Sequence, residues 1–586
     1  MAGLRGIQWE GLLRMTQRAG ARVYTTTVQP RRAPRRFALA PPPRRVNSTH
    51  AAVATSSPRR PDRSPWSKSR AGRITQGIVV AAGVAFVLLQ ASGPAIAEEP
   101  AQDEARLIRL AEVSEHGRSA ETFWVYRGDR VYDITEWVPN HPGGDVILRA
   151  AGGSIDPYWK IFTIHQTQDV LDILEQFFIG KIDPQDLVDG QAPASEIDDP
   201  FKSDPERDSS LIVRSAKPCN AETPASELNA YITPNDKFYV RNHLWVPEVE
   251  SADQHRLTIT LPDGEEVEYT VADLRNKFPK HTITATLQCS GNRRAHMSAA
   301  SRPTSGLPWD VGGIGTATWT GVKLRDVLVH AGVNVQEPDE DIRHAQFVGA
   351  EAYGASIPFD KAIDRRGDVL LAYDMNGQPL PRDHGYPLRV LVPGTVAARS
   401  VKWLNKIILS SDESTSQWQQ RDYKCFGPNV TADKVDWNDA PAIQETPVQS
   451  AITAVREVKA EQLKDSDLAR AYKLDKESVV LEGYAYAGGG RDIVRVDVSP
   501  DKGKTWWQAQ LLAPPEQASK DDQKSWAWKQ WRLALPRDVV KEEFCVKAVD
   551  DAYNTQPEGF DPYWNFRGNL ANSWHRVKYS PSGKKS

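Results

Sequence analysis

Residues 284–294 read TATLQCSGNRR, and this stretch places a single cysteine, Cys289, directly after a β-rich run. The Ser-Gly-Asn turn that follows ends the run, and Arg293 and Arg294 come next. Neighbouring cations favour the thiolate form of a cysteine, which is both the nucleophile and the metal ligand. Because no CxxC partner is present, zinc and iron–sulfur sites are disfavoured. Two alternatives stay open on the residue types alone: a nucleophile, or one soft ligand to a metal held mainly by something else.

Further blocks rich in arginine and aromatic residues lie on both sides of this stretch. They read TPNDKFYVRNH at 233–243, WTGVKLRD at 319–326, YDMNGQPLPRDHG at 373–385, ARSVKW at 398–403 and QRDY at 420–423. Guanidinium groups bind oxyanions through two parallel hydrogen bonds and stay charged at any working pH. We therefore expect a mixed α/β domain over 207–445 to carry the chemistry of the chain.

An N-terminal module over 102–182 has two histidines at a spacing typical of haem ligation. Two β-rich runs flank an RGDR turn, HPGG follows at 141–144, and His165 stands behind an aromatic stretch. Two neutral imidazoles fill both axial positions of a haem iron, so such a centre transfers electrons. His116 fits neither position, and we expect it to be structural.

An acidic segment follows this module. Residues 183–206 contain eight acidic residues and several prolines, with little that is apolar. This composition is typical of a solvated, flexible linker. The linker would let the haem module move between two docking positions; the alternative is a spacer with no mechanical role.

The C-terminal part, 446–583, has the pattern of an all-β domain. Val494, Val496 and Val498 alternate with polar residues, and DKG at 501–503 supplies a turn. Several short strands separated by turns predict an immunoglobulin-like β-sandwich.

The first 97 residues have the composition of a targeting segment. They contain sixteen Lys and Arg but two acids, and an uncharged run from Gly77 ends in Ala-Ile-Ala at 95–97. An Arg-rich presequence followed by a short apolar stretch indicates sorting to the mitochondrial intermembrane space. The alternatives are a disordered basic tail and a retained membrane anchor.

Charge is unevenly distributed along the chain. Residues 98–586 contain 57 basic and 74 acidic residues, a net charge of −17, although the whole chain carries −3. Such a body is poorly suited to nucleic acid and well suited to a basic protein partner. The alternative is that the charge serves solubility alone.

Taken together, the Cys289 stretch, the blocks around it and the HPGG module resemble the sulfite oxidase family over nearly all of 102–580. The resemblance implies an α+β multidomain chain with a cytochrome b5-like haem domain, a mixed α/β molybdopterin domain and an immunoglobulin-like dimerisation domain. It further implies that sulfite is oxidised to sulfate at a molybdenum-molybdopterin centre. Electrons would pass through haem b to cytochrome c, and the enzyme would be a homodimer.

The resemblance also implies roles for individual residues. Cys289 would ligate molybdenum, and His141 and His165 would ligate the haem iron. The cofactor-binding residues would be Tyr239, Val240, Arg241, Asn242, His243, His384, Arg389, Ser400, Val401 and Lys402. The catalytic pocket would be formed by Arg241, Arg294, Tyr423, Arg567 and Trp309.

The chain departs from the family pattern at two places. The loop before Ala352 is shorter and lacks the aspartate that typically contacts the cofactor, with Glu351 as the nearest acid. Cys425 stands where a glycine is usual, either as a tolerated small residue or as a reactive thiol beside the pocket.

Two rival functions are a nitrate reductase and a non-catalytic haem electron carrier. Nitrate reductases place the haem module after the molybdenum domain and add a nicotinamide-dependent reductase. Here the haem module comes first, and no GxGxxG signature is found. The set of Cys289, Arg241 and Arg294 argues against a degenerate scaffold.

Overall fold

The computed structural model describes residues 105–138, 141, 144–162, 165, 168–193, 199–350, 353–463, 470, 472, 477–514 and 524–580. The expected targeting segment over 1–97 and Glu351 lie outside the described residues. Within the described part, none of the helices combines the length and apolar character needed to span a bilayer.

The haem module is a small mixed sheet with short helices. Its strands are β1 (Leu107–Ile108), β2 (Trp124–Arg127), β3 (Arg130–Asp133), β4 (Gly153–Ser154) and β5 (Phe178–Ile182), and its helices are α1 (Leu110–Glu115), α2 (Asp156–Ile161) and α3 (Gln168–Glu175). The sheet order is β1-β5-β3-β2-β4. The expected hairpin is β2–β3, whose turn requires a positive φ of 57° at Gly128.

Both ends of the acidic segment 183–206 pack against folded neighbours, so it is less solvated than its composition suggests. Asp186 accepts hydrogen bonds from Arg109 Nε and from the backbone N–H of Leu110, both at 2.8 Å. Further along, Asp204 accepts from the backbone N–H of Val246 at 2.9 Å. We expected these carboxylates to be solvated, but they accept hydrogen bonds from specific donors instead. These contacts at both ends shorten the stretch that is available as a linker.

The central domain follows. Its strands are β6 (Ile212–Ser215), β7 (Asn220–Glu222), β8 (Val240–Arg241), β9 (Arg256–Thr260), β10 (Glu266–Thr270), β11 (His281–Gln288), β12 (Ile314–Lys323), β13 (His344–Gly349), β14 (Gly354–Pro358), β15 (Leu370–Met375), β16 (Gln378–Pro379), β17 (Arg389–Leu391) and β18 (Leu404–Ser410). Its helices are α4 (Val271–Lys277), α5 (Arg294–Ala300), α6 (Leu324–His330), α7 (Phe359–Ile363) and α8 (Gln417–Gln420).

Three sheets build this mixed domain. One has the order β10-β9-β18-β13-β14, another the order β11-β12-β15-β16 with β17 beside β15, and a third the order β6-β7-β8. The strand β11 pairs with β12 along its whole length, from His281 opposite Gly321 to Gln288 opposite Ile314. Because β11 is held this firmly, the position of the residue that follows it, Cys289, is fixed as well.

The C-terminal domain is a β-sandwich, as predicted. It contains β19 (Gln449–Val458), β20 (Ser478–Tyr486), β21 (Ile493–Ser499), β22 (Trp507–Gln508), β23 (Gln510–Leu511), β24 (Lys529–Pro536), β25 (Glu543–Asp550), β26 (His575–Lys578) and the short helix α9 (Ala460–Leu463). The two four-stranded sheets have the orders β19-β20-β24-β23 and β22-β21-β25-β26. Val496 and Val498 face the core between them, as predicted. Val494 does not, because the register of β21 shifts between Ile493 and Arg495 and leaves this valine 44% exposed.

The sandwich is joined to the loop after Cys289 through buried aromatic residues. Tyr484 stacks on Trp528 with a ring-centroid distance of 5.4 Å. The Tyr484 hydroxyl donates to the carbonyl of Val311 at 2.9 Å and accepts from Asn292 Nδ2 at 3.1 Å. The C-terminal domain therefore supports the central domain directly.

The close packing of β20 predicts an effect on stability. A methyl group added at Gly483 would lie 2.0 Å from the Ala451 carbonyl oxygen and 2.5 Å from the Trp531 ring. We expect Gly483→Ala to lower the unfolding free energy by roughly 1–3 kcal/mol through overpacking. Differential scanning calorimetry would show this as a lower melting temperature. Gly427→Ala, which meets no atom within 4 Å, is the control; equal melting of both variants would contradict the prediction.

Candidate active site

Cys289 lines a pocket and is the first residue after the end of β11. It is 5% exposed, and its backbone N–H donates to the Gly313 carbonyl at 2.9 Å. The turn closes when Asn292 N–H donates back to the Cys289 carbonyl at 3.0 Å. A parallel bridge between Gln288 and Val396 adds a contact from the other side. The thiol is therefore held by backbone hydrogen bonds on a rigid strand end.

The two arginines after this turn point in different directions. Arg293 has a positive φ of 64°; it is fully buried and donates to the Ser450 carbonyl in the sandwich at 3.3 Å. Arg294 stays beside the pocket and donates to the Leu307 carbonyl at 2.8 Å. Burial lowers the pKa of Arg294, although the electrostatic interaction with Cys289 acts in the opposite direction. The sequence could not separate these roles, because the strained backbone at Arg293 turns its side chain away.

Two glycines make room for Arg294. A Cβ at Gly291 would lie 2.6 Å from its guanidinium group, and a Cβ at Gly306 would lie 2.7 Å from it. The positive φ of Gly306, 110°, also disfavours any larger residue there. The guanidinium therefore occupies space that only these glycines leave open.

Arg241 and Arg567 belong to the same charged group. Arg241 donates to Asn220 Oδ1 at 3.0 Å and to the Asn242 carbonyl at 2.7 Å. Burial opposes its charge, but the electrostatic interactions with Tyr423 and Cys289 outweigh that and raise its pKa. Arg567 pairs with Asp422, with Nε 3.0 Å from Oδ1. The charges of Arg241 and Arg567 both act on Arg294, so the three predicted arginines come together.

Tyr423 lines the pocket and contacts His243. The Tyr423 hydroxyl lies 3.2 Å from His243 Nε2. Burial and the nearby Arg241 hold the pKa of His243 well below its usual value, so this imidazole is neutral. Burial raises the pKa of Tyr423, and its phenol keeps its proton. The pair therefore offers one neutral hydroxyl next to the arginines.

Most of the predicted cofactor-binding residues line the same pocket as Cys289. Arg389, on β17, donates to the His384 carbonyl at 2.9 Å and to the Ser400 carbonyl at 2.7 Å. Lys402 Nζ donates to the Asp383 carbonyl at 2.8 Å. Burial lowers the pKa of His384 to about 4. The predicted residues that line the pocket are Tyr239, Arg241, Asn242, His243, His384, Arg389, Ser400, Val401 and Lys402.

Four of the predicted residues do not line this pocket: Arg294, Arg567, Val240 and Trp309. Val240 is buried in β8, where it pairs with Ala221. Trp309 is fully buried and meets the ring of Tyr239 edge to face at a centroid distance of 6.3 Å. Trp309 therefore lies behind the wall and supports Tyr239.

Asp383 is a pocket residue that the sequence did not single out. It accepts from Arg207 Nε at 2.9 Å and from Asn242 Nδ2 at 2.8 Å. The acid stands directly before His384 in the DHG block, which was the one available signal. Its partner Arg207 is 176 residues away in sequence, so the pair could be found only in three dimensions.

Buried polar atoms without partners test whether a polar cofactor fits here. Among the described residues, Ser290 Oγ and Arg389 Nε are buried and have no hydrogen-bond partner in the protein. Both residues line the pocket. Buried donors without acceptors are costly, and an anionic, acceptor-rich group such as molybdopterin would satisfy them. The buried sulfur of Cys289 would fit the requirement of molybdenum for a soft ligand.

The haem module brings its two predicted ligands face to face. The rings of His141 and His165 have centroids 6.1 Å apart and planes 18° apart. Two imidazoles that share one metal ion, at about 2 Å from each nitrogen, have centroids roughly 6 Å apart. His165 Nδ1 lies 2.9 Å from the Phe162 carbonyl, which leaves Nε2 for the iron. The spacing therefore fits a haem.

His116 and Cys425, which were also noted in the sequence, have structural roles. His116 stacks on Trp124 at 3.6 Å, with Nδ1 2.6 Å from the Thr122 hydroxyl, as a structural histidine would. Burial raises the pKa of Cys425 to about 12. Cys425 is therefore a thiol at neutral pH, which disfavours the reactive alternative.

The Asp383 contacts predict a pH-dependent stability. Burial opposes the charge of Asp383, but Arg207 outweighs it and holds the pKa of the carboxyl below its ordinary value. This stabilisation is complete above the unfolded-state pKa of about 3.9 and is lost as pH falls through the lower folded-state pKa. We expect Asp383→Asn to cost roughly 3 kcal/mol at pH 7. Melting temperatures of the variant and the parent should converge as pH falls below about 3.9. A gap that does not change with pH would contradict this, and Asp341→Asn at an exposed site is the control.

Comparisons with known proteins agree with this arrangement. Residues 109–183 match the cytochrome b5-like heme/steroid binding domain, 243–418 the oxidoreductase molybdopterin binding domain and 440–581 the Mo-co oxidoreductase dimerisation domain. Sulfite oxidase from Gallus gallus is 47% identical over 79% of this chain and 98% of its own length. Mitochondrial sulfite oxidase from Homo sapiens is 44% identical over 81% of this chain and 85% of its own length.

A nitrate reductase from Phaseolus vulgaris is more distant, at 34% identity over 64% of this chain and 43% of its own length. The three-part architecture predicted from the sequence is confirmed. The chain belongs to the sulfite oxidase family.

Proposed function

We propose that this chain oxidises sulfite to sulfate at a molybdenum-molybdopterin centre and passes the electrons to a haem b in its N-terminal module. One observation carries the proposal: buried arginines of the pocket region are held by neutral oxygens. Arg241, Arg294 and Arg389 donate to the carbonyl oxygens of Asn242, Leu307 and His384. Their positive charge is therefore left for an anion, which suits a pterin phosphate and a small oxyanion.

The pocket divides between cofactor and substrate. When bound, the molybdenum centre supplies the two-electron oxidation and the haem supplies a one-electron exit. We assign Cys289 as the metal ligand. The pterin and its phosphate would be held by 239–243, His384, Arg389 and 400–402.

Arginine side chains orient the substrate in this proposal. Arg241 and Arg294 would each present a planar fork to sulfite, whereas a lysine would attract the anion without orienting it. Tyr423 would donate its hydroxyl hydrogen to the bound anion. Arg567, already paired with Asp422, would add positive charge at longer range. Trp309 would act through Tyr239 rather than by touching the substrate.

His141 and His165 would ligate the haem iron and hold it as an electron carrier. Cytochrome c is the proposed acceptor, because its basic surface complements the net charge of −17 over 98–586. The presequence composition supports a mitochondrial location, more specifically the intermembrane space. A homodimer through the C-terminal sandwich completes the proposal.

The boundaries that we propose follow from composition and fold. They are targeting over 1–97, haem module over 102–182, linker over 183–206, catalytic domain over 207–445 and dimerisation domain over 446–583. The family-model matches to 109–183 and 440–581 overlap the haem and dimerisation domains, and the match to 243–418 lies within the catalytic domain.

The metal ligand is tested by replacing one sulfur atom. We expect Cys289→Ser to abolish sulfite-dependent reduction of cytochrome c, because a serine hydroxyl is a poor ligand for a soft metal site. The b-type haem spectrum should be unchanged. Elemental analysis for molybdenum and iron, together with a sulfite assay, is the measurement. Cys545→Ser, on β25 of the sandwich, is the matched control, and retained turnover in Cys289→Ser would remove Cys289 from its assigned role.

The anion-binding role is tested on Arg241. We expect Arg241→Gln to raise KM for sulfite about 10- to 100-fold, because a charged hydrogen-bond donor to the anion is lost. Steady-state kinetics at constant molybdenum loading would measure this. Arg421→Gln, at an exposed position within the QRDY block, serves as the control. An unchanged KM in Arg241→Gln would place the sulfite pocket elsewhere.

A further inference from the structure

A second cavity lies between the sandwich and the central domain. It has a volume of about 480 Å³. Strands β19, β20 and β24 form most of one side, and the short 3-10 helix Ala225–Asn229 of the central domain contributes the other. Among the described residues, the linings of this cavity and of the Cys289 pocket have none in common. The cavity is therefore a separate place for a ligand.

The register of the sheet gathers two arginines around one carboxylate in this cavity. Arg532 on β24 stands opposite Glu482 on β20, and its Nε donates to Glu482 Oε1 at 2.6 Å. Arg456 on β19 donates from Nη2 to the other oxygen, Oε2, at 2.6 Å. Within the described residues, each guanidinium gives one N–H to this carboxylate, and a guanidinium has five. Both arginines therefore keep donors for a further acceptor.

The charged groups of the cavity do not balance. Arg456, Arg532 and Glu482 are the charged members of its lining in the part of the chain that the structure describes, and together they carry one positive charge. The side chains of Arg456 and Arg532 are 58% and 37% exposed, so both can be reached from solvent. A positive site on a body with a net charge of −17 favours an anion locally.

A buried donor without a partner lies on the same wall. Gln530 comes two residues before Arg532 on β24, so both side chains belong to the same face of the strand. Gln530 is 5% exposed, and its Nε2 has no hydrogen-bond partner among the described residues. A buried amide N–H without an acceptor is unfavourable. A ligand with several acceptor oxygens would relieve this cost.

We propose that this cavity is a sandwich anion site, which binds a tetrahedral oxyanion, sulfate or phosphate, through Arg456, Arg532 and Gln530. Guanidinium groups present paired N–H donors that match the oxygens of such ions, and the Gln530 amide adds a neutral donor. The site goes beyond the proposed function, because it shares no residue with the Cys289 pocket and needs no redox step. A bound anion would contact β19 and β24 together and so stabilise the folded sandwich.

The site is tested by isothermal titration calorimetry of the holoenzyme with inorganic phosphate and, separately, inorganic sulfate, at an ionic strength held constant with chloride. We expect Arg456→Gln and Arg532→Gln each to raise Kd about 10- to 100-fold, because each removes a charged hydrogen-bond donor. Arg495→Gln is the matched control, since Arg495 pairs with Asp497 on β21 of the same sandwich and lies outside the cavity. Its Kd values should equal those of the parent.

Gln530→Leu separates binding from folding. The leucine keeps most of the side-chain volume and removes the buried donor that has no partner. We expect Kd for both ions to rise about three- to tenfold, while the melting temperature without added anion stays equal or rises. Added phosphate should raise the melting temperature of the parent, because it binds the folded state, and should do so less in Gln530→Leu. Equal responses to phosphate in both proteins would contradict the role of Gln530.

Arg241→Gln distinguishes the sandwich anion site from the Cys289 pocket, which is also proposed to bind anions. Binding at the sandwich anion site should persist in Arg241→Gln and weaken in the two sandwich variants, whose KM for sulfite should match the parent. If phosphate and sulfate bind the sandwich variants as tightly as the parent, or if Arg241→Gln alone removes all binding, the site is overturned. Absence of sulfite oxidation in the parent would remove the proposed function and leave this site unaffected.

The two titrations also identify the occupant. Tighter binding of sulfate would make the product of the proposed reaction the ligand of the site. Tighter binding of phosphate would make the ligand an ion unrelated to that reaction. Either result supports a tetrahedral oxyanion site, whereas binding of neither ion to the parent outside the Cys289 pocket would refute it.

Discussion

The pocket depends on burying several guanidinium groups of the same charge next to one buried sulfur atom. Like charges in a low-dielectric interior repel strongly, and carboxylate partners would cancel the field that an anion needs. The protein resolves this by giving Arg241 and Arg389 carbonyl oxygens. The deeper Arg399 follows the same rule and donates to the Ile443 carbonyl at 2.8 Å. Carbonyl dipoles accept hydrogen bonds from these guanidinium groups without neutralising their charge, so the folded protein is already arranged for an anion.

Much of this could be predicted from the sequence, because the determining features are local. Cys289 comes directly after a β-rich run, and His165 comes shortly after an aromatic stretch. Each signal lies within a few residues of the side chain it indicates, so composition and spacing reveal both. The missing parts are long-range contacts. The pairing of Arg207 with Asp383 joins the first residue of the central domain to the pocket wall across 176 residues, and nothing local indicates it. Likewise, the acidic segment predicted solvent exposure, yet Asp204 has a backbone partner at Val246.

The three folded parts are less independent than their matches to separate domain families suggest. The sandwich reaches the turn after Cys289 through Tyr484 and Asn292, while Arg293 enters the sandwich and bonds to Ser450. A domain named for dimerisation thus also braces the turn after Cys289.

The two glycines beside Arg294 determine how a substitution at either position would affect the pocket region. Gly306 is distant from Cys289 in sequence, and a side chain there would collide with the Arg294 guanidinium. Replacing it would displace the arginine and leave the strand and the sulfur where they are. A substitution at this loop glycine would thus impair the proposed anion binding, and a measurement of the amount of folded protein alone would miss it.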